Sequence, residues 1–245
     1  MSDAPGFYEH LTFNAPLSDA RADALASRLA ARLDTGSPSV VLDLGCGWGE
    51  LLVRVVDRAP GASGVGIDTD ERHLERGRAR AARLGLDARV AFENRPAAEV
   101  TGPADVVVCI GSSHAFGESV ADALPALRRL VRPGGCLVLG EGTWEERGPS
   151  EPHRVWDDVV ALPSVAVLTD LAVAAGYRPL WVETANEDEL FAFESGYLAD
   201  LEEWLMVHDD VEVRTRADKH RSRWLHGYRN AFGFAYLTLG VPAYS

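Results

Sequence analysis

Short apolar runs alternate with longer segments of helical periodicity through most of the chain. The runs are rich in β-branched residues and predict seven strands, at 40–42, 64–68, 89–93, 104–110, 136–140, 178–184 and 231–239. The run at 104–110 is almost entirely apolar, which is typical of a strand buried on both faces. The pattern therefore predicts a largely parallel sheet rather than a series of hairpins.

Between these strands the apolar positions recur every three or four residues. This spacing predicts helices at 19–33, 50–57, 71–84, 119–130 and 165–175. Ser18 precedes the first helix as an N-cap candidate, and Gly85 follows the third as its stop. Alternating strands and helices predict an α/β fold, a doubly wound sheet with helices on both faces, built as a single domain over residues 1–245.

Two segments depart from this alternation. One is an N-terminal arm at 7–18, and the other is a stretch at 185–230, between the sixth and seventh strands, with helical patterns at 187–207 and 218–228. Connections of that length in compact domains are usually functional. We expect this helical insertion before the last strand to act as a lid or binding element.

The strongest chemical signal is the glycine-rich turn that follows the first strand, Asp43-Leu44-Gly45-Cys46-Gly47-Trp48-Gly49. Glycines permit positive φ and leave no Cβ between the backbone and a ligand. A dinucleotide fingerprint, GxGxxG, is the competing interpretation, but its sixth position is occupied here by Glu50. A carboxylate opening the helix suits a positively charged ligand better than a pyrophosphate.

With this motif, residues 39–141 resemble the class I S-adenosylmethionine-dependent methyltransferases. The resemblance implies a Rossmann-like sheet of seven strands, the last antiparallel, with S-adenosylmethionine as cofactor. It also implies that Asp68, at the end of the second strand, accepts hydrogen bonds from the ribose hydroxyls. The cofactor-binding residues it predicts are Asp43, Gly45, Cys46, Gly47, Gly49, Asp68, Thr69, Asn94, Pro96, Ala97, Ile110, Gly111 and Ser112.

One family position departs from the pattern. An Asp after the third strand usually meets the adenine amino group, whereas this chain has Glu93-Asn94-Arg95-Pro96-Ala97. The departure leaves adenine recognition to Asn94 or to the backbone around Pro96 and Ala97. The segment 132–135, Arg-Pro-Gly-Gly, resembles a family turn before the fifth strand. Segments 13–18 and 193–197 resemble a small-molecule group within the superfamily.

Methyl transfer from a sulfonium is an in-line displacement, so the enzyme chiefly aligns the acceptor and excludes water. His114, just after the fourth strand, is the candidate general base; orienting the substrate is its alternative role. Glu141, after the fifth strand, is a candidate for binding a polar or cationic acceptor, or else a solvated carboxylate. The aromatic residues predicted to surround the acceptor are Trp48, Phe116, Trp144, Tyr197 and Trp204.

The net charge and the cysteine content restrict the classes of partner and the cellular compartment that we expect. Lys and Arg number 24 against 37 Asp and Glu, a net charge of −13, which argues against nucleic acid. Three cysteines without a CxxC pair favour a reducing compartment, and the sequence predicts a cytoplasmic protein without a membrane partner. Residues 1–10 lack signal-peptide features. Nothing in the sequence determines whether the protein forms a homodimer.

A basic run at 214–223 and three histidines remain. The run is either a solvated helix face or a clamp for an anionic substrate. His208, His220 and His226 lack ligand spacing, so no metal is predicted. The sequence thus predicts methyl transfer to a small molecule. A nicotinamide-dependent oxidoreductase and a non-catalytic protein that binds S-adenosylmethionine are the alternatives.

Overall fold

A computed structural model describes residues 8–34, 36–144 and 162–244. Phe7, which opens the predicted arm, lies outside the described residues, as does most of the segment on which the signal-peptide prediction rests. None of the helices within these ranges is long and apolar enough to cross a membrane.

Seven strands form one sheet in the order β3-β2-β1-β4-β5-β7-β6. All neighbours pair in parallel except β7, which is antiparallel to both β5 and β6. This arrangement is the one that the family resemblance implies. The strands are β1 (Ser39–Leu44), β2 (Ala62–Asp68), β3 (Val90–Asn94), β4 (Ala104–Ile110), β5 (Val131–Trp144), β6 (Arg178–Thr184) and β7 (Phe232–Gly240).

Helices cover both faces of the sheet. They are α1 (Asp19–Leu33), α2 (Glu50–Arg58), α3 (Glu71–Arg83), α4 (Val120–Arg128), α5 (Val165–Ala174), α6 (Glu187–Leu205) and α7 (Val211–Arg223). Helices α1 to α3 bury their apolar sides in one core layer, and α4 and α5 bury theirs in the other. Successive β1 residues alternate between the layers: Val41 belongs to the first and Leu42 to the second. The doubly wound fold is therefore confirmed.

Element bounds agree closely where the periodicity is strong. Helix α1 and strands β4 and β6 have the predicted bounds, and Ser18 caps α1 by accepting a hydrogen bond from the Arg21 N–H. Helix α7 begins earlier than the predicted 218, because the Asp210 carboxylate caps the backbone N–H groups of Glu212 and Val213. It is followed by a π-helical turn at Trp224–Tyr228.

Strand β5 is longer than predicted. It begins at Val131 and so includes the segment 132–135, which was expected to form a turn before the strand. Gly134 has a φ of +85°, and the pairing of β4 with β5 shifts register between Ala104 and Val106. The glycines therefore form an irregularity inside the strand instead of ending it.

Candidate active site

A cavity of about 490 Å³ lies over the carboxyl ends of β1, β2 and β4. Ligands of open α/β sheets bind at this edge, where the strand order reverses. The predicted residues that line it are Asp43, Gly45, Cys46, Gly47, Trp48, Asp68, Thr69, Pro96, Ala97, Ile110, Gly111, Ser112 and His114. Predicted residues from the ends of four strands therefore meet at one cavity.

The three glycines of the turn after β1 all have positive φ, between 55° and 67°. They are needed for different reasons. A Cβ on Gly45 would lie 2.4 Å from Ser112 Cβ, and one on Gly49 would lie 2.5 Å from Phe92 Cε1. A Cβ on Gly47 would meet nothing closer than 3.7 Å. Gly49 does not line the cavity, so its requirement comes from packing, whereas Gly47 leaves backbone open toward a ligand.

Two carboxylates face the cavity from neighbouring strands. Asp43 is only 5% exposed, and burial, together with the charge of Asp68, raises the pKa of Asp43 to about 7. Asp68 Oδ2 accepts the backbone N–H of Gly47 at 2.8 Å, and its Oδ1 accepts that of Asp70 at 2.9 Å. Asp68 thus joins the end of β2 to the glycine turn while its carboxylate remains at the cavity wall.

The charge of Glu50 has a different role from the one the sequence suggested. Its Oε1 accepts from Arg54 Nε at 2.9 Å, and its Oε2 accepts from Arg80 Nε at 3.0 Å. The carboxylate is therefore neutralised by two guanidinium groups of α2 and α3. Glu50 borders the cavity, but because its carboxylate is paired with Arg54 and Arg80 it does not serve to attract a cationic ligand.

At the end of β3, some of the predicted adenine-binding residues line the cavity and one does not. Pro96 and Ala97 line the cavity beside Thr69. The side chain of Asn94 instead donates to Glu71 Oε2 at 2.8 Å, and Asn94 does not line the cavity. The amide that the sequence offered for adenine recognition is thus occupied by α3.

The end of β4 supplies the opposite wall. Ser112 Oγ donates to the carbonyl of Leu44, which fixes this turn against the end of β1. Next to it, Ser113 Oγ donates to Glu141 Oε2. Glu141 does not line the cavity, and its burial raises its pKa. His114, in contrast, is exposed and lines the cavity.

The predicted aromatic residues do not converge on this cavity. Trp48 lines it, with its indole N–H donated to the Thr12 carbonyl at 2.7 Å. Phe116 packs against the core layer of α4 and α5. Trp144 makes an edge contact with Phe232, with ring centroids 5.8 Å apart, in a cluster with the helices between β6 and β7.

The two remaining aromatics lie on α6 and do not line the cavity. Tyr197 lies between the rings of Tyr8 and His220, at centroid distances of 5.8 and 4.5 Å. Trp204 stacks on His208 with centroids 3.7 Å apart. Neither lines the cavity, because each is held by neighbouring side chains of the arm or of α6 and α7.

The arm contributes wall residues that were not among the predicted site residues, although segment 13–18 resembles a small-molecule group of the superfamily. Phe13, Asn14, Ala15 and Leu17 line the cavity, and Phe13 and Leu17 are buried in the α1–α3 core layer. Tyr236 donates its hydroxyl to the Pro16 carbonyl at 2.9 Å, so β7 holds the arm in place. The available signal was the pair of apolar residues, Phe13 and Leu17, four positions apart in a segment without strand or helix periodicity.

The basic run on α7 is engaged with neighbouring acids. Arg214 donates to Asp209 at 2.7 Å, and Arg221 pairs with both Glu202 and Asp218. These pairs agree with the interpretation of the run as a solvated helix face. In the three described ranges, no group of three His, Cys, Asp or Glu side chains is arranged to hold a metal ion.

The geometry fits S-adenosylmethionine. Gly47 leaves room for close backbone approach, Asp68 is an acceptor for a pair of hydroxyls, and Asp43 places negative charge where a cationic amino-acid end would bind. Residues 42–137 match the family model described as a methyltransferase domain. A methyltransferase structure from Geobacter sulfurreducens with bound S-adenosylhomocysteine aligns with a TM-score of 0.82 and 25% identity, covering 98% of this chain and 99% of that one. The chain is a class I S-adenosylmethionine-dependent methyltransferase.

Further relatives of this methyltransferase span most of its length. The Escherichia coli protein YjhP is 28% identical over 212 residues, 81% of this chain and 83% of that protein. The YjhP crystal structure aligns with a TM-score of 0.81. A trans-aconitate 2-methyltransferase of Methylobacterium radiotolerans is 28% identical over 227 residues, covering 86% of this chain and 84% of that enzyme. These similarities favour a methyltransferase over a nicotinamide-dependent oxidoreductase or a non-catalytic binding protein.

Proposed function

We propose that this methyltransferase acts on a small organic acceptor, with its cofactor lying across the turn from Gly45 to Gly49. One observation carries the proposal: a single cavity runs from Asp68 to His114 and is walled by the arm at Phe13 to Leu17. Such a cavity has room for a cofactor and a compact acceptor beside it, but not for a folded macromolecular surface.

In this placement the acceptor lies beside His114. The cofactor supplies an electrophilic methyl group, and its transfer leaves a neutral thioether. If the acceptor atom carries a hydrogen, its proton passes to His114, which is at the cavity wall and accessible to solvent. Ser113 and Glu141, joined by a hydrogen bond, support the adjoining turn. We assign them to positioning the turn that carries His114.

The named relatives support a small acceptor. They include the trans-aconitate 2-methyltransferase and a 27-O-demethylrifamycin SV methyltransferase of Amycolatopsis mediterranei, 36% identical over 48% of this chain and 43% of that enzyme. The net charge of −13 disfavours nucleic acid. We take the arm as the cover of the acceptor end, with α6 supporting it through the hydrogen bond between Ser18 and Glu189.

The direct test is turnover. The protein is incubated with S-adenosylmethionine and a panel of small hydroxy, amino and carboxylic acids, phenols and amines, and S-adenosylhomocysteine is quantified. Peptide, RNA and lipid pools form a second panel. Release that depends on a small acceptor, and that falls about 100-fold or more in His114→Ala, is the expected result. Release only with a macromolecular pool would overturn the proposal, and full activity of His114→Ala would remove the base.

A further inference from the structure

The chain has an arginine where the family usually presents a carboxylate to the adenine amino group. Arg95 follows β3 directly and lines the cavity next to Pro96 and Ala97. Its backbone N–H donates to the Asp68 carbonyl at 3.1 Å, so it lies beside the end of the strand that carries the ribose-binding candidate. In the sheet order, β3 is the edge beyond β2, and the cofactor's base would lie at that end.

The Arg95 guanidinium is fixed by two bonds. Its Nε donates to Glu93 Oε2 at 2.8 Å, and its Nη1 donates to the Glu99 carbonyl at 3.2 Å. These contacts use Nε and one of the two terminal nitrogens of the planar group. Within the described residues no protein acceptor is paired with Nη2, which leaves its two N–H donors for a ligand.

Among the described residues that line the cavity, no carboxylate at the end of β3 replaces the missing acid. Glu93 is held by Arg95, and Glu50 is held by Arg54 and Arg80. Asp43 and Asp68 stand at the ends of β1 and β2, next to the glycine turn. Among the described wall residues, the β3 end of the cavity therefore offers Arg95, Pro96, Ala97 and Ala98.

We propose that Arg95 contacts the cofactor's purine as a hydrogen-bond donor, and that this contact relaxes the preference for adenine that a carboxylate at this position would give. A guanidinium has donors and no acceptor, so it gains nothing from a 6-amino group. It does bind acceptor atoms of a purine edge, including a 6-oxo oxygen. The site consequently discriminates weakly between adenine and hypoxanthine forms of the cofactor. This inference rests on the proposed placement of the cofactor across the glycine turn.

The test compares binding of S-adenosylhomocysteine with that of S-inosylhomocysteine, its 6-oxo analogue, by calorimetry. The wild-type protein is expected to bind the two within about threefold of each other, because neither loses a dedicated partner. In Arg95→Ala the ratio shifts toward the adenosyl ligand by about threefold or more. In Arg95→Asp, which restores an acceptor, the preference for the adenosyl ligand reaches about tenfold. Arg129→Ala, at an exposed arginine that directly follows α4 and does not line the cavity, is the matched control and leaves both affinities unchanged.

An unchanged ratio in both Arg95 variants, or an equal loss for both ligands, overturns the inference. Circular dichroism and thermal melting confirm that each variant is folded before its ratio is used. Asp68→Ala separates this failure from failure of the cofactor placement. If Asp68→Ala abolishes binding while the Arg95 variants behave like the control, only the role of Arg95 is wrong. If Asp68→Ala also binds normally, the placement itself is wrong.

Discussion

Asp43 and Asp68 face one cavity from the ends of two adjacent parallel strands, and the charge of Asp68 adds to the burial that holds the pKa of Asp43 at about 7. In the cofactor-free protein the Asp43 carboxyl is therefore about half protonated near neutral pH. A cationic ligand bound beside it favours the ionised form. Two measurable consequences follow from this pair.

The first consequence is coupling between cofactor binding and proton release. A bound cation lowers the pKa of Asp43, so affinity for S-adenosylmethionine is expected to improve as pH rises from 6 to 8 and then level off. Calorimetry at pH 7 in buffers of different ionisation enthalpy should give release of roughly half a proton. Asp43→Asn should bind more weakly, with no such pH dependence. Equal proton release by the wild type and Asp43→Asn would exclude Asp43 as the source.

The second consequence concerns the stability of the cofactor-free protein. A carboxyl whose pKa is higher in the folded state than its ordinary value of 3.8 opposes folding once pH rises above that value, and the cost grows until about pH 7. Asp43→Asn removes this cost. We expect its melting temperature to exceed that of the wild type by about 3 °C or more at pH 8, and the gap to close near pH 4. A lower melting temperature at pH 8 would contradict this.

Glu189 joins the arm to α6. It accepts hydrogen bonds from the Ser18 hydroxyl, the Arg21 guanidinium and the Asn186 N–H. Burial alone would raise its pKa, but these bonds outweigh burial and lower the pKa to about 2. Its contribution is therefore complete above pH 4.5 and is lost as pH falls toward 2.

Glu189→Gln should lower the melting temperature at pH 7 by about 2–6 °C, because Arg21 loses its charged partner, and the difference from the wild type should shrink toward pH 2.5. Cofactor affinity should also weaken, since the arm walls the cavity. Glu187→Gln, an exposed neighbour in the same helical turn, is the control and should match the wild type. A constant difference across the pH range would show that the charge of Glu189 is not the cause.

Gly47 and Gly49 have different roles: Gly47 allows close approach of a ligand, and Gly49 allows close packing against Phe92. Gly49→Ala places a Cβ against Phe92 at a φ of +62°, so it should destabilise the protein by about 2–4 kcal/mol, as measured by denaturant unfolding. Gly47→Ala has room and should cost only about 1–2 kcal/mol, from its positive φ. Its main effect should be a weaker affinity for S-adenosylhomocysteine. The opposite ranking of stabilities would contradict the assignment of Gly49 to packing.

The sequence predicted what depends on local pattern. The apolar spacing of α1 and the near-continuous apolar run of β4 yielded correct bounds, and Asp43 to Gly49 indicated a ligand-binding turn. It did not predict where polar side chains point. Asn94 turns to Glu71, and Glu50 turns to Arg54 and Arg80, through contacts set by how α2 and α3 pack.

Of the five predicted aromatic residues only Trp48 lines the cavity, and the other four were misplaced for the same reason. Helical periodicity places Tyr197 and Trp204 on α6, but it carries no information on which other element their rings contact. In the fold they meet Tyr8, His220 and His208 rather than a common acceptor. Such non-local contacts arise only when the arm, α6 and α7 are assembled.

The place of β7 in the sheet has a consequence for synthesis on the ribosome. Strand β6 pairs with β7, and no other strand of the described residues pairs with it. Each of the strands β1 to β5 has a neighbour among the strands translated by the end of β5, whereas the neighbour of β6 is β7, which is translated after it. The exposed side chains Leu180, Trp181 and Val182 lie on β6, which stays unpaired until β7 is made. A nascent chain stalled before β7 would therefore present an unpaired apolar strand to chaperones, and its arm would lack the Tyr236 hydroxyl that holds Pro16 beside the cavity.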